Sequence, residues 1–459
     1  MKISTHPVVI KLLVITCLFG GLQVSASEVV TIKAGPMVGT TEITETNIWV
    51  QTTGPAQVAV RYWMADQPAM VKVSPVIHTT ESRYYTAQFT LSRLEYGTEY
   101  QYEILLNGTP QVFSYPLTFT TQPLWQWRTD PPELKIALGS CLYINDPHFD
   151  RPGEPYGGDP GILNTLAAQN PDMMLWLGDN IYYREADFYS ESHLAYRFSH
   201  GRSVPELQPL LASTINIAIW DDHDYGPNNS DRSSRLREQA LDIFKLFWAN
   251  PGYGHGKTAG VFTRYQLGDV EFFLLDDRYH RAPNSLEAED KPFLGKAQLQ
   301  WLQDALLNSR APFKFIVCGN QVTNTFAGYE VYARYTSEYD QFMSFLQREK
   351  IEGVIFLSGD RHFTELLKTD RREAYPIYEF TSSPLTSGTY SSLDESDEYT
   401  NPLRVGGTLV YQERNFGILN ITGPRKNRRL TMETYTADGT KAWSVSIDAA
   451  ELTRREESH

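Results

Sequence analysis

Residues 220–229 read Trp-Asp-Asp-His-Asp-Tyr-Gly-Pro-Asn-Asn and set three carboxylates, Asp221, Asp222 and Asp224, around His223. They follow the apolar run 215–219, which predicts a buried strand ending in chemistry. Unpaired charge is prohibitive to bury, so such a cluster needs metal ions, arginines or water. Alone, it reads equally well as a solvated acidic loop. The pattern recurs, however. Apolar runs at 134–138, 173–177 and 353–357 end at Cys141, at Asp179 with Tyr182, and at Asp360 with His362. Each residue taken singly has a plain structural reading, as a turn former, a small core residue or packing. Ligands of open α/β sheets sit beyond the carboxyl ends of strands, so four such endings would converge on one site.

Carboxylates suit hard cations, imidazole suits transition metals, and thiolate selects softer or more oxidised ions. One carboxylate can bridge two ions roughly 3.5–4 Å apart, clamping the attacking and leaving oxygens of a phosphoryl displacement. A water shared by the ions would be ionised near neutral pH and attack phosphorus in line. A histidine outside the ligand set would then protonate the departing oxygen. Arg278 and Arg361 also follow strand ends, and a guanidinium fork matches phosphate oxygens. Either could equally form an ordinary ion pair.

These groups need a large scaffold to hold them. The chain has 459 residues, 41% hydrophobic and 13% aromatic, enough for an ample core and more than one domain. Residues 1–26 read as a signal peptide, with Lys2 and Lys11 around an apolar stretch and a small-residue cleavage site at Val24-Ser25-Ala26. The stretch is too short to span a bilayer, and no later segment is a transmembrane candidate. Cys17 follows Thr16 rather than a small residue, and twin arginines are absent, so export in the unfolded state to the periplasm or medium is expected. The net charge of −14 becomes −16 once Lys2 and Lys11 are removed, a field that repels nucleic acid. Cys141 and Cys318 are the cysteines beyond the leader. One disulfide is arithmetically possible, but Cys141 is better used as a ligand.

Residues 28–122 predict a small all-β domain, with alternating runs and a hairpin turn at Asn107-Gly108. The stretch from Leu94 to Tyr102 is similar to the corner of fibronectin type III sandwiches, where a tyrosine hydroxyl ties the corner to the backbone. A structural or substrate-framing role is expected for this domain. Residues 133–450 alternate strands with helices expected at 159–168, 233–250, 295–309 and 338–350, which indicates an α/β core. From about residue 375 the chain is mostly β, with a turn at Asp438-Gly439, and residues 451–459 are expected to form a flexible tail.

Gly-Ser-Cys at 139–141, Gly-Asp-Asn-Ile-Tyr at 178–182, Trp-Asp-Asp-His-Asp-Tyr-Gly-Pro-Asn at 220–228 and Ser-Gly-Asp-Arg-His at 358–362 stand in a fixed order. Together they resemble the motifs of the alkaline phosphatase D (PhoD-type) metallophosphoesterases. The resemblance implies a calcineurin-like core, a four-layer α/β/β/α sandwich related to purple acid phosphatases, preceded by a fibronectin type III-like β-sandwich. It implies that Asp179 bridges two metals. Cys141, Tyr182 and His362 would complete a first site able to hold ferric iron. Asp222, Asp360 and Asn228 would serve a second, calcium-like or other divalent site. His223 would be the leaving-group acid, with Asp224 orienting it, and Arg278 and Arg361 would be candidates for the substrate phosphate. The implied substrate is a small phosphate ester, a monoester, a diester or both, with phospholipid headgroups or extracellular nucleotides as alternatives. A non-catalytic surface-binding protein that keeps the fold is the rival of a different class, although a binder has no need of a leaving-group acid. Family members are often exported folded through a twin-arginine signal. This chain lacks one, so metal would be loaded where calcium and zinc compete with iron.

Overall fold

The computed structural model describes residues 1, 29–326, 329–371, 374–393 and 398–453. Apart from Met1, the expected leader lies outside the described residues, as do 454–459.

Two six-stranded sheets form the centre. In the first, Leu134–Gly139, Met173–Leu177 and Ile215–Ile219 run parallel, and Asn415–Thr422, Arg429–Thr436 and Lys441–Asp448 extend the sheet antiparallel. In the second, Val270–Leu274, Lys314–Val317, Val354–Ser358 and Ile377–Thr381 run parallel between antiparallel edges Thr263–Leu267 and Glu365–Thr369. A strand covered on both faces reads as a continuous apolar run, as Met173–Leu177 does. Its Met173, Leu175 and Leu177 share a core with Ile316, Leu357 and Phe380 of the second sheet, while Met174 and Trp176 pack with Phe198, Leu211 and Phe244 of the helices. Helices Glu191–Arg202, Gln208–Ser213 and Arg237–Phe247 lie on the first sheet, and Lys296–Asn308 and Thr336–Arg348 on the second. This is the four-layer α/β/β/α sandwich expected from the motifs.

The two sheets approach closely where the chemistry-bearing strands end. A Cβ at Gly359 would come within 2.6 Å of Ser140 Cβ and 2.7 Å of the Leu177 carbonyl oxygen, so only glycine admits this contact. Space alone demands glycine at 359.

The N-terminal region is an antiparallel β-sandwich. Ile32–Thr41, Glu45–Thr52 and Thr86–Ser92 form one sheet, and Gln57–Met64 with Glu99–Leu106 and short flanking strands form the other. Tyr100 supplies the expected corner: its hydroxyl accepts a hydrogen bond from the Glu95 amide at 2.8 Å. The region is not a free appendage. Trp49 donates from Nε1 to the Leu246 carbonyl at 2.7 Å, Tyr102 donates to the Ala212 carbonyl at 2.7 Å, and Ala34, Met37 and Trp49 enter the core that holds Phe247. It contacts the helices behind the first sheet and also the edge of the second, where Tyr265 donates to the Thr41 carbonyl at 2.5 Å and the Gly268 amide to Gln122 Oε1 at 3.1 Å.

Some element bounds differ from the sequence reading. The helix expected from 159 starts at Ile162, because Asp159 closes a turn by accepting from the Gly161 amide. The helix expected over 233–250 is confined to Arg237–Phe247, since Ser234 sits in a turn on the Asp231 carbonyl and Trp248 is extended. Residues 451 and 452, expected in a flexible tail, are instead held in place. Ala449–Leu452 is a 3-10 turn, Leu452 is fully buried, and its carbonyl accepts from the Gly353 amide.

Candidate active site

Each chemistry-bearing residue leaves the carboxyl end of a strand on a sharply turned backbone. Cys141, Asp179, Asp360 and His362 have φ of 61°, 51°, 67° and 56°. Non-glycine residues rarely occupy this left-handed region, and such strain concentrates at functional sites. Parallel register of Gly139 with Trp176, and of Leu177 with Ile219, aligns three of the strand ends.

The side chains meet. Cys141 Sγ lies 3.8 Å from Asp179 Oδ2, while Asp179 Oδ1 accepts from the His223 amide at 3.2 Å. The two oxygens of Asp179 therefore address different neighbours. Asp222 Oδ2 accepts from the Asn229 amide at 2.6 Å, and its buried Oδ1 has no hydrogen-bond partner among the described residues. Asp179, Asp222 and His223 bring ligand atoms within 4.8 Å of one another. Tyr182 Oη lies 3.2 Å from His362 Nε2, and the Tyr182 ring rests on the His223 ring at 4.3 Å between centroids. Asp179, His223, Asn228, Asp360, Arg361 and His362 line an open cleft of about 480 Å³.

The electrostatics call for cations. Burial, with Asp222 and Cys141 adding, pushes the Asp179 carboxyl well above the usual range. Burial also pushes Cys141 up to about 12, raises Tyr182 far above an ordinary phenol, and takes Asp360 to about 7 against the pull of Arg361. Asp222 differs: burial works against its charge, but His223, Arg278 and the Asn229 amide hold it at about 2. The nearby arginines are already engaged. Arg278 pairs with Asp221 and Glu330, and Arg361 pairs with Glu398. Buried acids whose charges are uncompensated, one with an oxygen left unpartnered, fit a pair of bound metal ions.

A family profile described as PhoD-like phosphatase matches residues 153–432, more than half of the chain. The chain belongs to the PhoD-like phosphatase family. A second profile, a domain of unknown function (DUF7800), matches residues 30–123 of the β-sandwich. Among solved structures, PhoD itself is similar with a TM-score of 0.73 and 15% identity, covering 92% of this chain and 91% of that one. A purple acid phosphatase from yellow lupin (Lupinus luteus) seeds has a TM-score of 0.61 at 12% identity, covering 90% of this chain and 74% of that one. At these identities the two structures speak for the fold. No curated protein matches the chain.

Within this PhoD-like phosphatase, the residues expected as ligands lie together. Two others, Asp224 and Arg278, are engaged elsewhere. Asp224 does not reach the His223 ring. Its Oδ1 accepts from the Asn180 amide at 3.0 Å and its Oδ2 from the Asp221 amide at 3.1 Å, so it ties the loops together. Arg278 is fully buried, with Nε donating to Asp221 Oδ1 at 2.6 Å, and it does not line the cleft. Arg361 does line it, with a buried Nη1 that has no hydrogen-bond partner among the described residues.

The sequence reading passed over the residues that brace the site. Arg184 donates to Asp150 Oδ1 at 2.7 Å and to the Ile144 carbonyl at 2.9 Å, bonds the Tyr182 carbonyl, and stacks on Tyr143 at 3.8 Å. It thereby joins the loop after Cys141 to the loop carrying Tyr182. Ser383, whose hydroxyl is 3.1 Å from Cys141 Sγ, was also missed. Arg184 lies two residues past Tyr182 and Ser383 two past the strand Ile377–Thr381, but neither stands in one of the quoted motifs, and their partners Asp150, Ile144 and Cys141 are distant in sequence.

Proposed function

We propose that this phosphatase hydrolyses phosphomonoesters, phosphodiesters or both, using two metal ions held by the strand-end residues. The observation that carries the reading is the convergence of Cys141, Asp179, Tyr182, Asp222 and Asp360 without enough basic partners to balance them. Asp179, with one oxygen toward Cys141 and the other toward the His223 amide, would be the ligand common to both sets. Cys141, Tyr182 and His362 complete the first set, whose thiolate and phenolate suit ferric iron. Asp222, Asp360 and Asn228 form an all-oxygen second set suited to calcium or another divalent ion. When bound, such ions supply Lewis-acid neutralisation of phosphate oxygens and an acidified water.

The chain's own residues then divide the work. Arg361, which lines the cleft and keeps a buried Nη1 without a hydrogen-bond partner among the described residues, orients the phosphate. The His223 side chain is 22% exposed at the cleft, against 4% for Asp222, and gives its proton to the departing oxygen. Among the described residues no helix is long and apolar enough to cross a membrane. An exported protein acting on phosphate esters outside the cytoplasm is consistent with that, and with the leader read from residues 1–26.

The deciding experiment is turnover of an aryl phosphate diester beside the matching monoester, with calcium supplied and a chelator control. Chelator-sensitive turnover supports the metal reading. A preference for the diester points to lipid or nucleotide substrates, and a preference for the monoester points to phosphate scavenging. No turnover of either, with metals confirmed bound, would favour a binding role instead.

Cys141→Ser tests the first set. Burial keeps this thiol protonated unless a cation lies beside it, and serine is the harder, weaker ligand. Elemental analysis is expected to find one metal lost or exchanged, with activity reduced. Unchanged metal content and activity would remove Cys141 from the site.

A further inference from the structure

His362 is held from both sides of its ring. Nε2 lies 3.2 Å from Tyr182 Oη and 3.2 Å from Ser387 Oγ, on the side of the proposed ligands. Nδ1 lies 3.1 Å from Tyr156 Oη, its one hydrogen-bond partner among the described residues. A neutral imidazole carries one N–H, and a nitrogen that ligates a metal must keep its lone pair free. The proton then sits on the other nitrogen and needs an acceptor.

Tyr156 is placed firmly enough to be that acceptor. Its ring lies edge-on to Tyr143 at 4.9 Å. Its neighbour Gly157 exchanges hydrogen bonds with the Asn145 side chain at 2.9 and 2.7 Å, and the Gly158 amide donates to the Thr386 carbonyl at 2.7 Å. Gly388 leaves the space the ring fills, since a Cβ there would come within 2.8 Å of Tyr156 Cε2.

We propose that Tyr156 is a positioning residue for His362: its hydroxyl accepts the Nδ1 proton and so fixes the tautomer that turns the Nε2 lone pair toward the metal ligands. Gly388 is the cradle that admits the ring. The proposal rests on the reading of His362 as a ligand. It concerns a residue in the Pro- and Gly-rich segment 152–158, where no motif marks it.

The test uses the full chain stripped of metal and titrated calorimetrically with Zn2+ alone, together with 15N spectra of its histidines. Tyr156→Phe keeps the ring and removes the hydroxyl, so thermal stability should hold. Zn2+ affinity is expected to fall about 10- to 100-fold, the usual effect of losing such an outer partner. In the same variant the His362 signals should shift from the Nδ1–H tautomer to a mixture. Gly388→Ala, which displaces the ring, should lower the affinity similarly. His362→Ala separates the two levels of the argument. If it binds Zn2+ as the unaltered chain does, the ligand reading fails. If it loses Zn2+ while Tyr156→Phe keeps both affinity and tautomer, the positioning proposal alone is overturned.

Discussion

Asp179→Asn is expected to abolish metal-dependent hydrolysis while leaving the fold intact. Asparagine has nearly the same shape and can still accept from the His223 amide through its side-chain oxygen, so the loop has no reason to move. What it lacks is charge. Loss of a ligand that contributes several kcal/mol of transition-state stabilisation corresponds to a fall in kcat of roughly a thousandfold or more. Metal content measured on the same samples should drop. The metal-free variant should be at least as stable as the metal-free parent, because burial and the neighbouring acids oppose the Asp179 charge. Loss of function without loss of stability separates a ligand from a structural carboxylate. Activity within tenfold of the parent, with full metal content, would remove Asp179 from the ligand set and sink the two-metal reading built on it.

Much of this site was legible because fully buried parallel strands write themselves as short apolar runs and because the chemistry begins where those runs stop. The strands Met173–Leu177 and Ile215–Ile219 matched their runs residue for residue. Helix Glu191–Arg202 was not legible. Its buried positions include Arg197, Ser199 and Arg202, so its inner face does not look apolar. Arg197 pairs with Asp187 at 2.9 Å and Asp146 at 3.1 Å, partners that only the folded chain supplies. The docking of the sandwich was hidden for the same reason. Gly35 donates to Gln208 Oε1 at 2.8 Å, a contact across 173 residues.

The placements of Asp224 and Arg278 have a local cause and a distant one. Asp224 stands next to His223 in sequence, which invites a hydrogen bond between them. Both lie in the one-turn helix Asp222–Tyr225, where adjacent side chains diverge. Asp224 therefore turns back to the Asp221 amide in a capping box. For Arg278 the sequence left a phosphate and an ion pair equally open, and the fold lays it in ion pairs with Asp221 and Glu330. In both cases the choice of partner was a tertiary decision.

The same uncertainty of partner makes His223 the most informative substitution. Its Nε2 is 3.9 Å from Asp222 Oδ1, beyond hydrogen-bond range, and its ring lies against Tyr182 at the cleft. A proton donor must face the leaving group, and a ligand must face the metals. Because its ligand atoms fall within 4.8 Å of those of Asp179 and Asp222, the geometry permits either. The role of acid predicts a selective defect in His223→Asn. Turnover of an alkyl phosphate ester, whose departing oxygen needs a proton, should fall by about 10²–10⁴. A nitrophenyl ester, which departs readily as the anion, should lose far less, and metal content should be unchanged. Equal losses on both esters, accompanied by loss of metal, would make His223 a ligand and would leave the leaving-group proton to come from solvent.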